Sequence, residues 1–210
     1  MNIKFKKLIY AATLLLLCST LHAQQSAEKY IDNFVKLFSN NNLIEINFSC
    51  DISNTTAGIQ DQMEGNIIMN ITKYKIDVAP LIIINTGKET INYNQETNEA
   101  TIFTNVDDDI SLNPFVMLTQ YEKYFVPSIT SKTETTVTIK LNPKEEFIFK
   151  EAYITLNKNN NLINSLLLID DSDTEYNYTI KKFNTKATYP ATTFEFSESD
   201  YPEITIIDMR

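Results

Sequence analysis

Histidine and cysteine are almost absent from this sequence. Its single His is His22, and its two Cys are Cys18 and Cys50. Ser-His and Cys-His catalytic pairs and imidazole metal sites depend on residues of these kinds. Cys50 falls on the apolar side of an alternating segment, so we interpret it as a small core residue. The composition makes an enzyme the least favoured class, and we expect no catalytic residue, no metal site and no cofactor.

The first 23 residues have the composition of a secretory signal peptide. Three lysines lie among the first seven residues, an apolar run follows over residues 8–17, and Ala23 offers a small residue for cleavage. The apolar run is shorter than the roughly 20 residues that a membrane-spanning helix needs. We therefore predict an exported, soluble chain that begins at Gln24.

Positive charge is also scarce. The whole chain has a net charge of −9, and loss of the three N-terminal lysines would bring it to −12. Nucleic acids and anionic membranes both attract clustered Lys and Arg. The charge therefore argues against a nucleic-acid partner and against simple electrostatic docking on a membrane.

One Cys remains after residue 23, so no internal disulfide can form and the core alone must stabilise the fold. Residues 24–210 are enough for one domain with a sizeable core, and no linker or repeat divides them. We therefore predict a single domain, which we expect to be monomeric.

Two acidic runs, 107–109 and 170–173, could in principle bind calcium through oxygen ligands. Neither has the spacing of a known calcium loop, and both fall between predicted strands. Asp is common in turns because its side chain bonds to nearby backbone. We interpret both runs as solvated turns.

Apolar and polar residues alternate with period two through most of the chain. In residues 44–52 every second side chain is apolar, which is typical of a half-buried antiparallel strand, and similar segments predict about eleven strands. Residues 81–84 and 166–169 are apolar throughout, so both faces of those strands should be covered. Because only three Gly are available for tight bends, we predict a strongly curved antiparallel sheet that stays open as a half-barrel.

Helices are predicted at two places. Residues 26–39, SAEKYIDNFVKLFS, have apolar residues at helical spacing behind Ser26, which can cap the helix. In residues 111–125, SLNPFVMLTQYEKYF, Asn113 can cap a short helix and Pro114 suits its first position. A helix of two turns is marginal alone. We therefore expect it to rest on the apolar face of the sheet.

Four segments carry a family resemblance in their order and spacing. They are MEGNIIMNITKYKIDV (63–78), TGKETINYNQETNEATIF (86–103), SLNPFVMLTQYEKYF (111–125) and FEFSESDYPEITIIDMR (194–210). The third contains an Asn-Pro-Phe sequence, and the fourth ends in Tyr-Pro, an apolar strand and Asp-apolar-Arg. Together with the signal peptide, these segments resemble the LolA family of periplasmic outer-membrane lipoprotein carriers.

The resemblance implies an unclosed sheet whose apolar cavity is covered by a helical lid. It implies a periplasmic protein that takes acylated lipoproteins from an inner-membrane transporter and delivers them to an outer-membrane acceptor or to the membrane itself. Where many members latch the lid with an Arg, this chain has Lys73 and Lys75, to which the resemblance assigns that role. The residues expected to contact lipid are Ile46, Phe48, Ile67, Met69, Ile76, Ile91, Tyr93, Phe115, Met117, Leu118 and Ile139.

Two other interpretations stay open. A module of the same architecture could hold another apolar ligand, such as a free fatty acid or a glycolipid. An exported structural or adhesive β-domain, in which every apolar residue is ordinary core, belongs to a different class. Uptake of a fluorescent fatty acid would separate this last class from the two binding proteins.

Overall fold

The computed structural model describes residues 27–41, 43–105 and 113–210. The predicted signal peptide, the proposed cap Ser26 and the acidic run 107–109 lie outside the described residues. Within the described ranges, no helix is long and apolar enough to cross a membrane.

The described chain forms one sheet of twelve strands. The strands in chain order are β1 (Ile44–Asn54), β2 (Ile59–Met69), β3 (Tyr74–Val78), β4 (Leu81–Asn85), β5 (Glu89–Asn94), β6 (Glu99–Thr104), β7 (Phe125–Lys132), β8 (Thr136–Pro143), β9 (Phe149–Asn157), β10 (Ile163–Asp170), β11 (Glu175–Asn184) and β12 (Thr205–Asp208). Their order across the sheet is β12-β6-β5-β4-β3-β2-β1-β11-β10-β9-β8-β7. Strands β12 and β7 are therefore edges that do not meet. The prediction of a mainly β, unclosed half-barrel is confirmed.

Strand β1 joins the two halves of the sheet. It pairs antiparallel with β2 on one side and with β11 on the other. The remaining neighbours are also antiparallel, except that β12 runs parallel to β6. The sequence underestimated the strand count slightly because β7 contains Pro127, which weakens a strand pattern. Pro is tolerated here because β7 lies at an edge of the sheet.

The register of the strands defines two faces of the sheet. Ile46 lies opposite Ile67 and Phe183, and Ile67 lies opposite Ile76. Directly opposite residues point to the same side of a sheet. We call the side of these residues the inner face. The other side, on which Ile84 and Ile91 lie opposite each other, is the outer face.

In the described part of the chain, three short α-helices accompany the sheet, and two 3₁₀ helices (Ala191–Phe194 and Glu198–Asp200) lie in the C-terminal segment. Helix α1 occupies residues 27–35 and continues as a 3₁₀ segment over Lys36–Asn41. Helix α2 spans Pro114–Thr119 and α3 spans Tyr121–Tyr124. Helicity is thus confirmed in the described part of the predicted 26–39 helix, although its last turn is 3₁₀. The helices supply buried apolar residues to the same cluster as the inner face.

The two strands that are apolar throughout are covered to different degrees. In β4, Ile82, Ile83 and Ile84 are all buried, so both faces are covered as predicted, except at Leu81, which is exposed. In β10, Leu166 and Leu168 are buried, whereas the residues facing the other way are only half-buried. The prediction for β10 is therefore confirmed for its inner face and wrong for its outer face, where Leu167 and Ile169 are only half-buried.

Candidate apolar binding site

The inner face and the helices form one continuous apolar cluster. It contains nine of the eleven residues that the sequence suggested for lipid contact: Ile46, Phe48, Ile67, Met69, Ile76, Phe115, Met117, Leu118 and Ile139. Ile46, Met69, Phe115, Leu118 and Ile139 have no exposed surface, and the other four are at most 5% exposed. The structure therefore brings these nine residues together in a single apolar region.

Helix α2 is held on this region through its N-terminus. Asn113 caps it as predicted, since its Oδ1 accepts a hydrogen bond from the Phe115 N–H at 2.9 Å. The amide of Asn113 also lies 3.7 Å from the sulfur of Met69 on β2. The Phe115 ring meets the Tyr178 ring of β11 edge-on, with 6.4 Å between centroids. A helix of two turns is thus positioned by its cap and by one buried ring.

Helix α1 covers the neighbouring part of the inner face. Ile31, Phe34 and Phe38 are completely buried. The Phe34 ring packs edge-on against Phe38 at 5.3 Å and against Phe183 of β11 at 5.9 Å. Because the amphipathic helix turns its aromatic side toward the sheet, its removal would expose a large apolar area.

The helices pack directly on the inner face. Phe34, Phe115 and Leu118 belong to the same buried cluster as the inner-face residues and are fully shielded from solvent. Close packing leaves little room beside such side chains. A hydrocarbon guest would therefore have to replace part of the helical cover, and the described arrangement corresponds to a closed site.

A hydrogen bond connects α1 with α3. The Tyr121 hydroxyl donates to Asp32 Oδ1 at 2.7 Å, and Tyr121 is only 3% exposed. Burial raises the pKa of Tyr121, and the neighbouring Asp32 carboxylate raises this pKa further, so the hydroxyl keeps its proton. A surface recess of about 460 Å³ lies beside this bond, lined by residues of α1 and of the α2–α3 turn. The bond has no local signal in the sequence because its partners are 89 positions apart.

We expect Tyr121→Phe to raise the affinity for a neutral fluorescent alkyl probe about fivefold. The change removes a charge-assisted hydrogen bond that holds the two helices together, which contributes about 1–2 kcal/mol. Titration of the probe measures the effect. Tyr153→Phe is the matched control, since Tyr153 donates to Glu151 at 2.6 Å on the outer face. Equal affinities in all three proteins would contradict a role for this bond in closure.

Lys73 lies in the turn that follows β2, and Lys75 lies on β3. Lys75 is opposite Ile68 and Ile84, which places it on the outer face. Lys73 is exposed in the turn between β2 and β3, where its N–H bonds to Asn70. Neither ammonium forms an ion pair with any residue that the structure describes. Within the described residues, one contact that joins α1 to α3 is the hydrogen bond from Tyr121 to Asp32, and the latch role of Lys73 and Lys75 stays a prediction.

Ile91 and Tyr93 belong to a second cluster on the outer face. They pack with Ile82, Ile84, Ala100 and Ile102 and are covered by Phe196, Tyr201, Ile204 and Ile206 of the C-terminal segment. The ring centroids of Tyr93 and Tyr201 are 4.4 Å apart. The structure therefore does not bring these two residues together with the other nine.

Cys50 is a core residue on the inner face. It is completely buried and lies opposite Tyr178 and Met63. Burial raises the pKa of its thiol to about 11. A thiol with this pKa is protonated at neutral pH and reacts slowly, which agrees with the interpretation from sequence.

Gly65 leaves room for a ring of the site. It lies opposite Phe48 on the inner face, and a Cβ at this position would come 2.5 Å from the end of the Phe48 ring. We expect Gly65→Ala to lower the free energy of unfolding by about 1–3 kcal/mol, because the buried ring must shift. Chemical denaturation measures the loss. Adding Phe48→Leu should recover most of it, and an unchanged single variant would contradict the close approach.

Comparison with known proteins places this architecture in a family. The profile described as outer membrane lipoprotein carrier protein LolA matches residues 73–197, more than half of the chain. Among curated proteins, no sequence matches. The resemblance inferred from the four sequence segments is therefore confirmed by the profile.

One solved structure shares the fold at very low sequence identity, and two others are more distantly similar. An uncharacterised conserved protein from Thermus thermophilus has a TM-score of 0.58 and 9% identity, over 87% of this chain and 99% of that one. A LolA-superfamily protein from Nitrosomonas europaea has a TM-score of 0.48 and 6% identity, over 82% and 98%. A putative outer membrane lipoprotein-sorting protein domain from Vibrio parahaemolyticus has a TM-score of 0.46 and 5% identity, over 82% of this chain and 97% of that one. By its sequence profile and its open twelve-stranded sheet, the chain belongs to the LolA family.

Proposed function

We propose that this protein is a periplasmic carrier that shields the acyl chains of lipoproteins and moves them from the inner to the outer membrane. The observation that carries the proposal is the continuous apolar inner face, which is covered by helices rather than by a second sheet. A second sheet would be a permanent cover, whereas short helices can be displaced one at a time. Family membership and the predicted signal peptide support the location and the cargo.

The energetics of acyl chains suit a cover that can be exchanged. Burial of a hydrocarbon chain gains about 0.8 kcal/mol per methylene, so an acylated protein does not cross water unaided. Closure of the helices over Ile46, Ile67 and Phe48 buries the same inner face when no guest is present. Because guest and helices compete for one surface, binding is reversible. A carrier that must release its cargo requires this property.

The proposed partners follow from this role. The cargo is an acylated lipoprotein, the donor is an inner-membrane lipoprotein-releasing transporter, and the recipient is an acceptor in the outer membrane or that membrane itself. No catalytic step is needed, because the competition between guest and helices drives capture and release. We expect the carrier to act as a monomer.

Purification of the exported protein from an envelope extract tests this function. Mass spectrometry of the bound material should detect acylated lipoproteins in a one-to-one complex. Free fatty acid or glycolipid alone would instead favour a binding module of the same architecture. If the protein carries no lipid and takes up no fluorescent alkyl probe, its apolar residues are ordinary core and the proposal fails.

A further inference from the structure

The two ends of the inner face differ in how completely they are covered. Along β1, Ile44 and Ile46 are completely buried, whereas Ile52 is half-buried. Along β2, Met69 is completely buried, whereas Met63 near its other end is half-buried. Helix α1 packs near the start of β1. We call the end of the sheet where β1 begins the closed end and the end where β1 finishes the open end.

A row of aromatic rings crosses the open end. The distance between ring centroids is 4.8 Å for Phe125 and Phe147, 6.4 Å for Phe147 and Phe149, and 6.1 Å for Phe149 and Tyr176. Phe149 reaches this row through an irregularity in the pairing of β9 and β10, where it lies opposite Asp170. All but Phe125 are half-buried, and all pack against the inner cluster. The apolar surface of the site therefore continues to solvent at this end.

The charges of the loops also differ between the two ends. At the open end, the β8–β9 and β10–β11 loops and the strand ends beside them carry Asp61, Glu145, Glu146, Asp170, Asp171, Asp173 and Glu175, with only Lys144 and Lys150 of opposite sign. Among the described residues at the closed end, the turns and strand ends carry Lys73, Lys88, Lys132, Lys158, Lys182, Lys186 and Arg210, together with Glu45, Glu89, Glu134 and Asp208. Among the described residues, acidic side chains therefore outnumber basic ones beside the aromatic row, whereas basic side chains outnumber acidic ones at the closed end.

We propose that the open end is the portal through which the hydrocarbon of a guest enters, and that its acidic rim selects guests whose head group is neutral or cationic. The inference rests on the proposed function, because it specifies how and with what head group the same site is filled. An acyl chain that slides in along the aromatic row reaches Ile52 and Met63 before it meets α1. Its head group then stays among the carboxylates, which repel an anionic head.

Blocking each end separately tests the portal. Ile148 at the open end and Ile71 at the closed end are similarly exposed, at 58% and 50%. Ile148→Cys and Ile71→Cys are each coupled to a maleimide polyethylene glycol, in a chain with Cys18→Ser. Cys50 should not react because it is buried and protonated.

Stopped-flow uptake of a fluorescent alkyl alcohol should slow at least about fivefold with the label at position 148 and less than about twofold with the label at position 71. Equal slowing, or greater slowing from position 71, would overturn the portal. If the unlabelled protein takes up no probe at all, the proposed function itself fails. The two failures are therefore distinguishable.

Probes that share one chain but differ in head group test the rim. At low salt, a fluorescent alkyl amine or alcohol should bind at least about tenfold more tightly than the fatty acid, and 0.5 M salt should reduce the difference by screening. The double charge reversal Glu145→Lys with Glu146→Lys should reduce the preference for the amine and the alcohol over the fatty acid. Glu134→Lys at the closed end should leave this preference unchanged. A fatty acid that binds as well as the amine at low salt would overturn the selection.

Discussion

Phe115→Ala should bind a neutral fluorescent alkyl probe more tightly than the unaltered protein, by about tenfold to a hundredfold. Phe115 is completely buried and is the ring by which α2 rests on the sheet. Truncation of a buried Phe costs about 3–5 kcal/mol, and each 1.4 kcal/mol corresponds to a tenfold change in binding. If most of this loss falls on the docking of α2, the closed state becomes a weaker competitor of the guest.

The measurement is a probe titration together with hydrogen exchange of the α2 amides, which should become faster. Phe194→Ala is the matched control, because Phe194 is a buried Phe outside both apolar clusters. It should reduce stability without increasing affinity. Weaker probe binding by Phe115→Ala would mean that the ring contributes more to holding the guest than to closing the empty site. This result would contradict a competition between the guest and helix α2 for the inner face.

Ile91→Ala should lower the free energy of unfolding by about 2–5 kcal/mol while changing probe affinity less than about twofold. Ile91 is 2% exposed, so its truncation leaves a cavity in the outer cluster. The cavity lies on the face of the sheet opposite the helices. Ile91→Ala is therefore expected to lower the stability of the fold while leaving the probe affinity nearly unchanged.

Denaturant unfolding and probe titration of the same preparation measure the two effects. Ile67→Ala provides the comparison, because Ile67 is 1% exposed and belongs to the inner cluster. It should reduce stability by a similar amount and also change the affinity. A large loss of binding in Ile91→Ala would show that the outer cluster communicates with the guest site.

Local chemistry made the short helix predictable. Asn113 and Pro114 are adjacent in sequence, and capping depends only on neighbouring residues. The start of α2 could therefore be predicted from these residues alone. Alternation likewise predicted β1 and the placement of Cys50 on its apolar side. These features depend on residues that are close along the chain.

The assignment of faces was harder because alternation does not say what covers each side. Ile91 and Ile46 have the same pattern around them, yet one meets the C-terminal segment and the other meets the helices. The partner of each face is decided by segments far away in sequence. For the same reason, the bond between Asp32 and Tyr121 had no signal in the sequence.

The central place of β1 has a consequence for the order in which the molecule can be assembled. Glu45 on β1 bonds to Asn184 on β11, 139 positions later. A chain of which only β1 and β2 are available for folding forms a hairpin in which β1 lacks its second neighbour. Until β11 is also available, β1 remains an unprotected edge, the kind of surface on which incompletely folded chains aggregate.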